Sequence, residues 1–486
     1  MNEIKNKRQV CWDFDLADEI SDILICEHQP MRKNVIFTSD MPWEGCVCGY
    51  FSVVITDDGY RIYYRASGLK AGTSDGFSLG NICVVDSKDG KNFTRPNLGL
   101  VECEGSFDNN IIKINNPPYS TQLGLFIDNF SVYYDENPDC PADEKYKALA
   151  LYELEKCDLS NMSENLAYYK SADGYTFDFV RVLDIAGAFD SLNTLMWDKV
   201  AKKYRAYVRG AHFSENTKLT MRDVRVTESE DMIHWTEPEI IKYVNEAEEW
   251  QVYTNGMKKY PRADIFVGTP TSYLERQGDT DSLKRISPLL GDVRKDWVEK
   301  GDRSGYAFTE SYIITSRDGV NFYKSYEPFM GPGVENGENW IYGDGYPSWG
   351  FIETESDFAG EPNELSFYMG RGYRQRPVDI VRYSIRLDGF RSWKAGHEGG
   401  YVLTKPLTFT GNTLKINFAT TCFGNLKVTI CDENRTPIEG YESGNVFGNS
   451  VDRIVDFEKD LSALAGKTVR LKFEMRLAEL YSFIFE

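Results

Sequence analysis

Short runs rich in β-branched and aromatic residues recur along this chain, each parted from the next by a turn of Asp, Asn or Gly. Tyr50–Ile55 and Tyr60–Arg65 flank Asp57-Asp58-Gly59 and predict a hairpin. The same grammar returns in Phe130–Tyr134 with Tyr146–Tyr152, in Asn193–Trp197 with Tyr204–Arg209, in Val252–Lys259 with Ile265–Gly268, and in Tyr346–Ile352 with Leu365–Met369. A second pattern lies over the first. Ser-x-Asp-Gly-x-x-aromatic occurs at Ser87–Phe93, Ser171–Phe177 and Ser316–Phe322, with a looser copy at Ser229–Trp235 and one lacking the Ser at Arg386–Trp393. Asp bonds back to its own backbone and Gly tolerates positive φ, so each copy predicts a tight turn whose aromatic anchors the next strand.

Repetition of such turns, with strand-like sequence between them, predicts an all-β chain: a five-bladed β-propeller over residues 1–395. Asn34–Thr38 is expected to complete the last blade and close the ring. Glu275 to Ser304, rich in charge, reads as a loop or short helix above the fourth blade. After Trp393 the strands become shorter and strictly alternating, from Leu407–Phe409 to Tyr481–Phe485, and residues 396–486 are expected to form an appended β-sandwich.

Bulk properties narrow the partners. The 486 residues carry a formal net charge of −20, which disfavours nucleic acid and anionic membranes and leaves a neutral polar ligand, such as a small carbohydrate, as the expected partner. The first residues lead to Trp12-Asp13-Phe14-Asp15 without an apolar core, and the ten cysteines lack metal or disulfide spacing, so reduced thiols in the cytoplasm are expected. No phosphate-cradling, dinucleotide, zinc-protease or calcium-loop motif is present; no cofactor and no metal are expected.

Position then predicts the site. Counting back about eight residues from each hairpin turn, at a rise of about 3.3 Å per residue, reaches the start of the inner strand. The count lands near Gly49, Asp128, Asp190, Tyr253 and Asp344, with Glu44 and Glu249 just upstream of the same level. The ends of the second strands bring Arg65, Arg209, His212, Arg371 and Tyr373 to the same mouth. Acids ringed by Arg, His and aromatics suit sugar cleavage, in which one carboxyl donates a proton and another stays ionised as nucleophile or base. Asp190 and Asp344 are the expected pair, assisted by Glu44 and Asp128, with Arg65, Arg209, His212, Glu249, Tyr253, Arg371 and Tyr373 binding substrate.

Trp43-Glu44-Gly45, Gly105–Asn110, Phe189–Asn193 and Tyr342–Pro347, with the Asp-Gly-aromatic turns, resemble five-bladed propeller glycoside hydrolases, and in particular uncharacterised relatives of families 32 and 43. The Asn-Asp-Pro-Asn, Arg-Asp-Pro and Glu-Cys motifs of family 32 are not found at their places. The resemblance implies the propeller and a saccharide-sized axial pocket. The expected activity is exo-acting cleavage of a short oligosaccharide, with furanosides such as fructosides or arabinosides among the candidates. A glycoside phosphorylase and a non-catalytic sugar-binding propeller are the alternatives.

Overall fold

The computed structural model describes residues 2–68, 80–117, 129–152, 162–245, 250–276, 280–286 and 291–486, and is nearly all β, with few helices. Five antiparallel sheets follow one another in chain order. The first holds Gly49–Thr56, Gly59–Ala66, Asn81–Ser87 and Phe93–Thr94. Ser131–Tyr134, Tyr146–Leu151, Leu166–Ser171 and Thr176–Val182 make the second, and Thr194–Asp198, Lys203–Phe213, Thr220–Ser229 and Glu239–Ile240 the third. In the fourth are Lys258–Lys259, Phe266–Gly268, Ile314–Ser316 and Asn321–Lys324. The fifth combines Ile352–Thr354, Glu364–Arg371 and Asp379–Arg386 with Met31–Thr38 from the chain start, which pairs antiparallel with Asp379–Arg386.

The first strands of these sheets, with the residues just before them, touch in sequence. Val132 N–H donates to Ser52 Oγ (3.3 Å), Trp197 N–H to Tyr133 Oη (2.9 Å) and Thr194 Oγ1 to Asn255 Oδ1 (2.8 Å). Trp349 Nε1 donates to Met257 O, its main-chain N–H to Phe51 O and its C=O accepts from Val53 N–H, each at 2.8 Å, so the circuit returns to sheet one. Because the strands are apolar on both pleats, a core forms at each junction. Ile62 and Tyr64 pack with Tyr368 and Ile380 of sheet five, whereas Tyr63, on the opposite pleat, packs with Phe130 and Phe177 of sheet two.

The Asp-Gly turns staple the same junctions. In four copies the Asp carboxylate accepts from the N–H groups two and three residues on, as Asp89 does from Lys91 and Asn92 at 2.8 Å. A tyrosine of the preceding sheet then donates to the carbonyl of the turn: Tyr63 to Gly174 and Tyr207 to Gly319, both at 2.9 Å, and Tyr368 to Gly90. A Cβ at Gly174, where φ is +76°, would lie 2.5 Å from the Tyr63 oxygen, so the close approach requires glycine.

The fifth copy is different. Asp388 is fully buried, with φ +58°, and accepts from Tyr260 Oη (2.7 Å), Arg262 Nε (2.9 Å), Ser482 Oγ (2.7 Å) and Asn417 Nδ2 (3.2 Å), with Arg8 at 3.4 Å. It ties sheets four and five to the C-terminal body. That body also takes in strands from before residue 395. Gln9–Val10, Ala17–Ser21, Ile23–Glu27 and Arg391–Ala395 are hydrogen-bonded into the same sheet as Gly400–Thr404, Leu414–Cys431, Pro437–Glu442, Asn449–Val455 and Arg470–Phe485. Its core accordingly mixes Cys11, Leu16 and Ile23 with Phe473 and Phe485.

The charged insertion is helical over Thr280–Arg285, Gly291–Glu299 and Arg303–Tyr306, the last capped by Asp302, whose carboxylate accepts from Ser304 N–H (2.9 Å). It packs onto the segment that leads into Asp344, through the buried Arg294, which donates to Trp340 O at 2.6 Å. No described helix is long and apolar enough to cross a membrane, and the described cysteines are all free thiols.

Candidate active site

A concavity of about 670 Å³ opens where the first strand of sheet one begins, beside the end of the second strand of sheet five. Its wall in sheet one is a bulge: Gly49 pairs with Arg65 and Ser52 with Tyr63, so the register slips between them, and Tyr50 takes φ +54°. That slip turns the Tyr50 ring into the cavity, where the Arg65 guanidinium lies 4.8 Å from its centroid. Arg65 also donates to Tyr373 Oη (3.0 Å), which fixes a second phenol on the wall.

Asp190 is the one acidic side chain lining this cavity among the described residues. The segment carrying it is pinned on both sides. Phe189 O accepts from Asn129 and Asn193, both at 2.8 Å, and Ser191 Oγ donates to Tyr253 O (2.6 Å). The Asp190 N–H donates to Glu164 Oε2 (3.0 Å), and Arg209 Nη2 stands 3.9 Å from the Asp190 carboxylate. Glu164 is buried, and its other oxygen has no hydrogen bond among the described residues. Burial raises the Glu164 pKa against the pull of Arg209, and the Asp190 charge raises it further. The carboxyl coupled to Asp190 is therefore Glu164, a residue the sequence did not single out.

The opposite wall is aromatic. Tyr253 meets Tyr342, Tyr346 and Tyr273 at centroid distances of 6.2, 5.8 and 6.0 Å. Arg303, delivered by the helical insertion, lines the cavity with its guanidinium 5.0 Å from the Tyr342 ring. Tyrosine faces and guanidinium donors together offer apolar contact for sugar rings and hydrogen bonds for hydroxyl or anionic oxygens.

Of the expected site residues, Asp190, Arg65, Tyr253 and Tyr373 reach the cavity, and Arg209 lies buried behind Asp190, 5.6 Å from the Tyr253 ring. Asp344 does not line it. The carboxyl is turned back into its own loop, accepting from Ile341 N–H (3.2 Å) behind Tyr342 and Gly343, and burial pushes its pKa up to about 6. Asp190 and Asp344 are thus not brought together as a facing pair. Glu44 is also displaced from its expected place: fully buried, it accepts from Arg95 at 2.9 and 2.8 Å and from Tyr64 Oη, which closes a structural network. His212 pairs with Asp223 (2.9 Å) and Arg371 is felt by Asp344 through its charge, and neither lines the cavity. Asp128 and Glu249 lie outside the described residues.

Among the described residues, one group has donor atoms close enough to hold a metal ion, Cys26, His28 and Glu479 on the C-terminal sheet. Lys394 Nζ already sits 2.7 Å from Glu479 there.

No family model matches this chain, and no curated protein sequence does. Solved structures similar in fold include an N-acetylgalactosamine deacetylase from F. plautii in complex with blood group B trisaccharide, at 13% identity and TM-score 0.46 over 74% of this chain and 96% of that one. A glycosyl hydrolase from Bacteroides ovatus is similar at 13% identity and TM-score 0.44, covering 74% and 94%. A β-1,2-mannobiose phosphorylase from Listeria innocua is similar at 12% identity and TM-score 0.43, covering 75% and 99%.

Proposed function

We propose that this protein is a carbohydrate-active enzyme that cleaves a glycosidic bond of a short saccharide in the Asp190 cavity, on a five-bladed β-propeller with an appended β-sandwich. The closed circuit of first-strand contacts supports the propeller. One observation carries the activity: a carboxylate on a doubly pinned segment faces a tyrosine-walled concavity. A concavity walled by tyrosines and open to solvent suits the end of a saccharide chain. Asp190 acts on the proton of the glycosidic oxygen or of the attacking group. Arg209 and Glu164 are positioning residues that set its charge and place. Tyr50, Tyr253 and Tyr342 face the rings, and Arg65 and Arg303 donate to their oxygens.

Hydrolysis is the first reading. Phosphorolysis is the second, because two guanidinium groups and a single described carboxylate line the same cavity. In that case a phosphate oxygen attacks the anomeric carbon, the carbon–oxygen bond breaks and Asp190 gives its proton to the leaving oxygen. Free thiols at the described cysteines support a reducing compartment such as the cytoplasm. The test is a panel of nitrophenyl furanosides and pyranosides, followed by short oligosaccharides, with and without inorganic phosphate. Free sugar in both conditions means hydrolysis, and sugar 1-phosphate formed only with phosphate means phosphorolysis. Saturable sugar binding without turnover of any substrate would leave a binding propeller and overturn the enzymatic reading.

A further inference from the structure

A second concavity, about 1450 Å³, lies between the five sheets and the N- and C-terminal segments. It is built from later positions of the same first strands. Val53, Tyr133, Leu195, Trp197, Lys258 and Trp349 all line it, so sheets one to four and the lead into sheet five contribute, and the wall is chiefly apolar. Its charged residues are nearly all matched. Lys259 stands 2.6 Å and Lys7 3.2 Å from Asp264, Arg262 2.9 Å and Arg8 3.4 Å from Asp388, and Lys199 3.5 Å from Glu136. Lys258 is the exception. Its ammonium has no hydrogen bond or ion pair among the described residues and lies 5.7 Å from the Phe351 ring, and Glu136 reaches it only through its field. Burial holds its pKa below the ordinary lysine value, as expected for a cation set against apolar walls without a counter-ion.

We propose that this concavity binds a small organic monoanion, with a carboxylate on the Lys258 ammonium and an apolar body against Val53, Tyr133, Leu195 and Trp349. A half-buried ammonium without a counter-ion gains from a charge-assisted hydrogen bond, and a chiefly apolar wall with one unpaired charge selects an amphipathic acid. The site is independent of the Asp190 cavity, which is lined by a different set of residues.

The probes are 4-phenylbutyrate and its uncharged counterpart 4-phenylbutanol, titrated calorimetrically into the full chain. Saturable one-to-one binding of the acid is expected, at least about tenfold weaker for the alcohol and for Lys258→Met, since the carboxylate–ammonium pair is lost in both. Lys258→Gln gives the same reading should the Met variant fail to fold, as judged from its melting curve. Arg65→Ala, at the other cavity, should bind the acid like wild type. Absence of saturable binding to wild type, wild-type affinity in the Lys258 variants, or loss of binding in Arg65→Ala overturns the proposal.

Discussion

Asp388 and Asp190 are each an aspartate among arginine and tyrosine, yet they sit in regions of opposite character. Asp388 is sealed: two arginines, a phenol, a hydroxyl and an amide converge on it, and they hold its pKa below the usual carboxylate value despite complete burial. Asp190 keeps about a third of its side chain exposed on a cavity wall, with its arginine at 3.9 Å. The difference teaches that company alone does not mark a reactive carboxylate. A group whose acceptor sites are all taken by protein donors is a structural tie, and one whose oxygens face open volume can meet a substrate. Glu44 belongs with Asp388 by this test, although its sequence surroundings suggested otherwise.

The comparison can be broken at either end. Asp190→Asn should lower the cleavage rate by about 10²–10⁴ while leaving the melting temperature close to wild type; a rate within a few-fold of wild type would move the chemistry elsewhere. For Asp388→Ala the expected effects are the reverse, a loss of about 3–5 kcal/mol in urea unfolding, because Arg262 and Arg8 are left without their counter-ion.

Asp344 sharpens the middle ground. Its pKa rises from 3.8 to about 6, so its contribution to stability is full below the unfolded value and fades as pH climbs through 6. Asp344→Asn should accordingly gain on wild type between pH 4 and pH 7.5, by about 1–3 kcal/mol in chemical denaturation. The smallest effects belong to the tyrosine staples. Tyr63→Phe and Tyr207→Phe should each cost about 1 kcal/mol, additively, since they occupy different junctions.

Much of the sheet order was legible, because it rests on local chemistry. The Ser-x-Asp-Gly turns fold as their residues dictate, and the hairpins around Asp57–Gly59 and Asp198–Lys203 fall where the alternating pattern puts them. Asp190 could be placed by counting along a strand. What escaped depends on partners far away in sequence. Glu44 is closed off by Arg95, 51 residues on. Asp388 lacks the upstream Ser of its motif, and that was the visible sign that its turn serves another purpose. Arg303 and Glu164 reach the site from an insertion and a connection whose strand pattern is silent. For the residues before 28, nothing local reveals that their edges pair with strands more than 360 residues later.

That late pairing governs how the molecule can be made. Met31–Thr38 leaves the ribosome early, yet its hydrogen-bonding partner, Asp379–Arg386, is synthesised some 350 residues afterwards. Until then the opening segment and the first sheets wait with unpaired edges, in the regime where distant contacts slow assembly and invite aggregation. Closure therefore comes as one late event that couples two stretches far apart in the chain, and a nascent chain halted before residue 379 is a natural client for chaperones.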